Sequence, residues 1–157
     1  FYDAHAPPRV RNISRTYGEL GGGGDQILVS GTNFAPTGTA LACRFEPLRD
    51  AGADRVAAPA VDTPATFVSI TQIRCSAPSV PVSCTAAVSA TTDGTTFGMT
   101  SATFTYYDPV APAHVSHVSP SYGTFQQPTT LTIFGSNFAP TSAGLHARWG
   151  QLGTTRA

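Results

Sequence analysis

Charged residues are scarce in this sequence. They make up 11% of its 157 residues, against roughly 25% in an average protein. Lysine is absent, and nine arginines balance nine acidic residues to a net charge of zero. The arginines are dispersed along the chain, whereas a nucleic-acid-binding domain concentrates its positive charge in a patch. The composition therefore argues against a nucleic-acid partner.

Long apolar runs and catalytic motifs are also missing. No run reaches the roughly 18 apolar residues of a membrane-spanning helix, so no membrane insertion is expected in this segment. The sequence shows no nucleophile–base pair, no paired carboxylates and no phosphate-binding glycine loop. Its three cysteines include no Cys-x-x-Cys spacing, which argues against a metal site at them. We therefore expect no enzymatic activity, no cofactor and no bound metal.

The sequence does contain short segments in which apolar and polar residues alternate, and turn residues separate these segments. Gly and Pro contribute 15 and 13 residues, and apolar residues make up 41%. Leu41, Cys43 and Phe45 share one face of a strand, and residues 102–107 alternate strictly. About seven such strands within about 100 residues predict an all-β fold, an immunoglobulin-like antiparallel β-sandwich.

The connections between these strands can be placed as well. A turn is expected at Tyr17-Gly18 after the first strand, and a hairpin turn at Asp93-Gly94. Residues 46–64, which are rich in proline and charge, predict a long irregular connection with a short edge strand at 55–58.

One seven-residue segment occurs twice. Residues 31–37 read GTNFAPT and residues 135–141 read GSNFAPT, 104 positions further on. The similarity extends to both sides, because residues 9–18 resemble 114–123. Repetition at this spacing indicates tandem copies of one domain.

The repeat sets the expected domain boundaries. These are 1–8 for the end of a preceding repeat plus a linker, 9–108 for the first domain, 109–113 for a second linker and 114–157 for the first part of a second, incomplete domain. Prolines fix φ in both linkers, which makes the joints semi-rigid. Four apolar side chains of the second copy need a facing sheet, from the same chain or from another: Leu131, Ile133, Phe138 and Trp149.

The ordered motifs resemble the IPT/TIG family, the immunoglobulin-like domains shared by plexins, Met-type receptors and Rel-type transcription factors. The resemblance is carried by Gly31-Thr32-Asn33-Phe34, Cys75-Ser76-Ala77-Pro78, Phe104-Thr105-Tyr106, Ser119-Pro120-Ser121-Tyr122-Gly123 and Gly135-Ser136-Asn137-Phe138. Arg15 departs from the pattern, since it stands where the family has the turn proline. The resemblance implies tandem sandwiches of the E-set type, and it does not by itself settle function.

The resemblance also implies a disulfide. In the family, a cysteine of the third strand often pairs with the cysteine before x-x-Pro, which here means Cys43 with Cys75. Such a bridge would close a loop of roughly 30 residues and contribute ~3–4 kcal/mol. Pairing of Cys75 with Cys84, or three reduced thiols, are the alternatives, and the state of Cys84 is left open.

Three further groups of residues are candidate sites. Asn12-Ile13-Ser14 is an N-glycosylation sequon, so Asn12 is the predicted glycan acceptor, against a chance triplet at a strand edge. His114 and His117 are interpreted as surface residues, because strand positions three apart face opposite sides. Asn33 and Asn137 are interpreted as structural turn residues that tolerate positive φ, rather than as ligand-binding residues.

These features favour a non-enzymatic structural or interaction segment of an extracellular or cell-surface glycoprotein that forms a rod, a surface coat or a filament subunit. Its expected partners are adjacent IPT/TIG repeats, other copies of the same protein, and glycans. A receptor ectodomain of plexin or Met type that binds a protein ligand is the alternative. A Rel-like DNA-binding module and an accessory domain of a carbohydrate-active enzyme fit fewer of these features.

Overall fold

Strands account for nearly all regular structure among the residues that the structure describes. The computed structural model describes residues 2–48, 59–124, 127–139, 144–150 and 153–156. The chain divides into two compact units, Phe1–Asp108 and Pro109–Ala157. The described residues include one short 3₁₀ turn, Gly38–Ala40, and no helix with the length and apolar character needed to cross a membrane.

Within the described ranges, eight strands belong to the first unit and four to the second. The first eight are β1 Arg9–Ile13, β2 Tyr17–Glu19, β3 Gln26–Thr32, β4 Ala42–Pro47, β5 Val61–Ser69, β6 Gln72–Ser76, β7 Cys84–Thr91 and β8 Thr103–Tyr107. The other four are β9 His114–Ser119, β10 Thr132–Ser136, β11 His146–Arg148 and β12 Thr154–Arg156.

The first unit is a two-layered sandwich in which one strand takes part in both layers. The strand order is β1-β3-β6-β5-β4-β7-β8-β2. Val61 to Pro64 of β5 pair with β4, and Ala65 to Ser69 pair with β6, so β5 passes from one layer to the other. All of these pairings are antiparallel except that of β2 with β8. The predicted all-β, immunoglobulin-like sandwich is confirmed.

Apolar side chains from both layers form the core. Leu41, Cys43 and Phe45 are all buried, as their alternation along β4 predicts. Phe104 of β8 lies edge-on to Phe45, with the ring centroids 6.1 Å apart and an angle of 88° between the planes. Full burial of such side chains contributes roughly 1.5–3 kcal/mol each.

The turn predicted at Tyr17-Gly18 is wrong. Tyr17–Glu19 form β2 instead, which runs parallel to β8 with Gly18 opposite Tyr106. A Cβ atom on Gly18 would come within 2.8 Å of the Phe104 ring. Glycine is therefore needed here so that β2 can lie over a large buried aromatic, whereas the local sequence predicts a turn.

The irregular connection predicted over 46–64 ends earlier than expected, because β5 already begins at Val61. Pro64 is accommodated within the strand at the point where β5 leaves β4, and the next residue, Ala65, donates its amide to the Leu41 carbonyl. A proline has no amide to donate, so a change of partner strand is a tolerant place for it. The edge strand expected at 55–58 lies outside the described residues.

The connection from β7 to β8 is also longer than a two-residue hairpin, since it spans residues 92–102. Asp93 closes its first turn by accepting hydrogen bonds from the amides of Thr95 and Thr96 and from the Thr91 hydroxyl, at 2.7–2.8 Å. Gly94 follows with a φ of 77°. Asp-Gly therefore marks a turn here, as predicted, but one within a longer loop.

Candidate functional site: the Asn33 corner

The first repeated heptad folds into a corner at the end of β3, which we call the Asn33 corner (residues 31–36). Asn33 has a φ of 65°, a conformation that asparagine tolerates better than most residues. Phe34 and Ala35 are buried immediately after it. A Cβ atom on Gly31 would collide with the Arg9 carbonyl oxygen and touch the Phe34 ring. Phe34 is buried and Asn33 supplies the positive φ, as the sequence predicts, whereas Gly31 is needed for the close approach to Arg9 and not for a positive φ.

The Asn33 side chain does more than tolerate this conformation, because it binds the residues that precede the domain. Its Oδ1 accepts a hydrogen bond from the Asp3 amide at 2.6 Å. Its Nδ2 donates to the Asp3 carbonyl at 2.9 Å and to the Ala6 carbonyl at 2.5 Å. The carboxamide thus contacts three backbone groups that lie 27 or 30 positions away in the sequence.

Residues 3–8, the leading segment, are held at further points on their way into β1. The Ala6 amide donates to the Asp3 carbonyl at 3.3 Å, and the His5 amide donates to the Asp3 carboxylate at 2.9 Å. Pro8 is fully buried, with its carbonyl oxygen where a Cβ of Gly98 would stand. The segment therefore follows one path from the Asn33 corner to the start of β1.

The tip of the β5–β6 hairpin accepts two main-chain hydrogen bonds from the corner. The Gly31 amide donates to the Thr71 carbonyl at 2.9 Å, and the Phe34 amide donates to the Ile70 carbonyl at 3.2 Å. The corner backbone is thus fixed by main-chain bonds that do not involve the Asn33 side chain. This leaves the carboxamide available for the leading segment.

The second heptad repeats this geometry within the unit Pro109–Ala157. Asn137 has a φ of 59°, and its Nδ2 donates to the Ala111 carbonyl at 2.6 Å. A Cβ atom on Gly135 would collide with the His114 carbonyl oxygen and lie 2.8 Å from the Phe138 ring. Residues 140–141 of this heptad lie outside the described part of the chain. Each asparagine thus binds the carbonyl of the residue at the same position in its own leading segment.

The structure contains the disulfide between Cys43 and Cys75 that the family resemblance implies. The two Cα atoms are 6.3 Å apart and 32 positions separate the residues. Cys43 lies on β4 and Cys75 on β6, so the bridge joins the two layers. Cys84 is half-buried at the start of β7 and is not a member of this bridge.

Asn12 lies where a glycan could be attached, exposed on the edge strand β1. Its Oδ1 accepts a hydrogen bond from the Ile13 amide at 2.8 Å. The Ser14 hydroxyl accepts one from the Leu28 amide at 2.9 Å, which fixes the third sequon residue against β3. Glycosylation of Asn12 stays a prediction.

His114 and His117 are both exposed on β9, as the sequence predicts. His117 stacks on Phe134 with 4.3 Å between the ring centroids, and its Nδ1 lies 3.1 Å from the Ser116 hydroxyl. Among the residues that the structure describes, no group of three His, Cys, Asp or Glu side chains could hold a metal ion.

Ionised groups in the first unit are stabilised by local partners on its surface. Arg44 makes a two-point ion pair with Asp62, at 2.7 and 2.9 Å, and lies 3.7 Å above the Phe97 ring. The hydrogen bond raises the pKa of Arg44 and lowers the pKa of Asp62. Amides of Thr96 and Thr95 hold the pKa of Asp93 well below its usual range. These contacts stabilise loops and strands, and they do not assemble a catalytic group.

The sequence identified Asn33 and Asn137 but missed their partners, Asp3 and Ala6 in one case and Ala111 in the other. A signal was present, since the heptad and the segment preceding β1 recur together at nearly the same spacing. Backbone carbonyls carry no residue signature, however, so the sequence alone could not show that the carboxamide binds them.

Comparisons with known proteins agree with this architecture. No curated protein matches the chain. The family model for the IPT/TIG domain matches residues 8–106, which is more than half of the chain. Domains of this family are non-enzymatic, immunoglobulin-like interaction modules. On the combined ground of sandwich, corner and family match, the chain belongs to the IPT/TIG domain family.

Proposed function

We propose that this chain is a non-enzymatic structural and interaction segment of an extracellular, glycosylated protein built from tandem IPT/TIG domains. In this proposal the domains form a rod, a surface coat or a filament subunit. The observation that carries the proposal is that the Asn33 corner and its flanking strand pair occur a second time around Asn137.

The strand register supports the repetition residue by residue. Val10 stands opposite Gly31 in the β1–β3 pair, and Val115 stands opposite Gly135 in the β9–β10 pair. A register shift follows in both pairs at the equivalent place, after Val10 in β1 and after Val115 in β9. A shared bulge together with a shared register favours two copies of one domain over a chance similarity of seven residues.

Burial differs between the two copies in a way that also supports the proposal. Val10 is 3% exposed, whereas its counterpart Val115 is 53% exposed. Phe34 is fully buried, whereas Phe138 is only half-buried. Apolar positions that match a core residue are expected to be covered in the native protein. We infer that residues 114–157 are the first part of a second domain, whose facing sheet covers this side of β9 and β10.

The segments before each copy fit the role of linkers in such an array. Residues 1–8 would be the end of a preceding repeat with its linker, and residues 109–113 the linker into the second domain. Pro7 and Pro8 stand in the first, and Pro109 and Pro112 in the second. Prolines limit the conformations of a linker, which suits an extended assembly.

An extracellular location is supported by three features. A disulfide joins the two layers of the first domain, and structural disulfides persist in oxidising compartments. Asn12 of the sequon is exposed. The surface is poor in charge, and its polarity comes largely from serine and threonine. Together these features favour a secreted or surface-displayed glycoprotein.

Imaging of the native protein by cryo-electron microscopy tests this function. We expect successive sandwich domains along a rod, coat or filament, with glycan density at Asn12. Isolated monomers that do not self-associate, even at high concentration, would contradict the assembly role. One-to-one binding of a single protein ligand by such monomers would instead favour a receptor ectodomain.

A further inference from the structure

We propose that the Asn33 corner is a docking site for the segment entering the domain, and that Asn33 is the positioning residue which fixes the direction of that segment. The interpretation of this segment as a linker rests on the tandem array proposed above. In such an array, the corner would fix the direction of the chain where it enters each repeat. The side chain of Asn33 thereby has a role that the positive φ of this residue does not explain.

The hydrogen bonds of Asn33 use both polar atoms of its side chain. One acceptor and two donor contacts are made to the backbone of Asp3 and Ala6. Because only main-chain atoms are recognised, side chains of the segment can vary. This agrees with the second copy, where Val110 stands in place of His5 and Asn137 still binds the carbonyl of the next residue, Ala111.

The contacts lie just before the point where the chain enters the sandwich. Pro8 is already part of the buried domain, and β1 begins at Arg9. Without the carboxamide, residues 3–6 would keep only their own turn bonds and would no longer be held to the surface of the sandwich. With it, the segment is held to a surface that is itself fixed by the Thr71 and Ile70 carbonyls. Asn33 therefore links the direction of the chain before the domain to the sandwich itself.

Asn33→Gly separates this role from that of a turn residue. Glycine accepts a φ of 65° without strain, so the turn keeps its backbone while the carboxamide is lost. In the full 157-residue chain, labelled with ¹⁵N, we expect the heteronuclear NOE of the amides of residues 3–6 to fall from strand-like values to those of a flexible tail. Loss of its hydrogen bond should speed exchange of the Asp3 amide by about tenfold.

Two further variants are compared with Asn33→Gly. Asn137→Gly makes the same chemical change in the second copy, and it should leave residues 3–6 rigid. Asn33→Asp keeps an acceptor for the Asp3 amide but removes both donors, so it should release Ala6 more than Asp3. The thermal midpoint of the first domain should change little in Asn33→Gly, because the core is untouched.

Rigid residues 3–6 in Asn33→Gly would overturn the docking role. Global unfolding of this variant would overturn it too, since Asn33 would then be needed for the fold itself. Absence of a tandem array would be a separate result, which imaging of the native protein would show. The corner can bind its leading segment whether or not that segment comes from another repeat.

Discussion

Cys43 and Cys75 join the two layers of the sandwich through a disulfide, and both residues are buried. The bridge links β4 to β6, and both of these strands pair with β5. Cross-linking residues 32 positions apart reduces the conformational freedom of the unfolded chain. The bridge is therefore expected to be a principal source of stability in this charge-poor domain.

Replacing both cysteines in Cys43→Ala/Cys75→Ala should lower the free energy of unfolding by about 3–4 kcal/mol, measured by urea denaturation. Cys84→Ala is the control, with an expected loss below about 1 kcal/mol because its side chain is only half-buried. Alkylation under denaturing conditions should label one thiol before reduction and three after it. A peptide linking Cys75 to Cys84 would contradict the assigned bridge.

Gly31→Ala should destabilise the domain by more than about 2 kcal/mol, because the new methyl group would collide with the Arg9 backbone and with the buried Phe34 ring. Gly38→Ala is the contrasting control. Gly38, unlike Gly31, has a positive φ, and no atom lies within 4 Å of its added Cβ, so its cost should be about 1 kcal/mol of backbone strain. Equal losses in the two variants would show that the close approach at Gly31 is unimportant.

The Asp93 turn should contribute to acid sensitivity. Hydrogen bonds lower the pKa of this carboxylate on folding, so its contribution is fully present above the unfolded-state pKa of about 3.9 and is lost as pH falls towards the folded value. The thermal midpoint of Asp93→Asn should therefore fall less than that of the wild type between about pH 5 and pH 2. An unchanged pH dependence would mean that the turn does not stabilise the ionised form.

Asn12→Gln should remove one N-glycan from protein secreted by a eukaryotic host, without loss of secretion, because the side chain is exposed. The measurement is intact mass before and after treatment with a peptide N-glycosidase. Ser14→Thr is the control, since it changes the third residue but keeps the sequon, so the glycan should remain. A wild-type mass without glycan would refute occupancy of Asn12 in that host.

The fold was largely predictable from the sequence because alternation along single strands reports burial directly. Phe104 and Tyr106 show this in β8, where both are buried as predicted. Errors arose where tertiary contacts override local signals. Gly18 is a glycine because of the Phe104 ring and not because of a turn, and Pro64 is tolerated in β5 because the strand changes partner there.

The candidate site was only half predictable. The sequence identified Asn33 through its repeated heptad and its tolerance of positive φ. It could not reveal the bonds to Asp3 and Ala6, because these depend on how the chain returns to its own start and on backbone atoms that every residue carries. Recurrence at Asn137 becomes informative only once both corners are compared in three dimensions.

The tandem arrangement is tested most directly by hydroxyl-radical footprinting of the native protein, read out by mass spectrometry at Val115 and at its counterpart Val10. In the described residues Val115 is 53% exposed and Val10 is 3% exposed. If residues 114–157 belong to a second complete sandwich, both valines should be protected to a similar extent in the native protein. Rapid oxidation of Val115 while Val10 stays protected would contradict the second domain and, with it, the array.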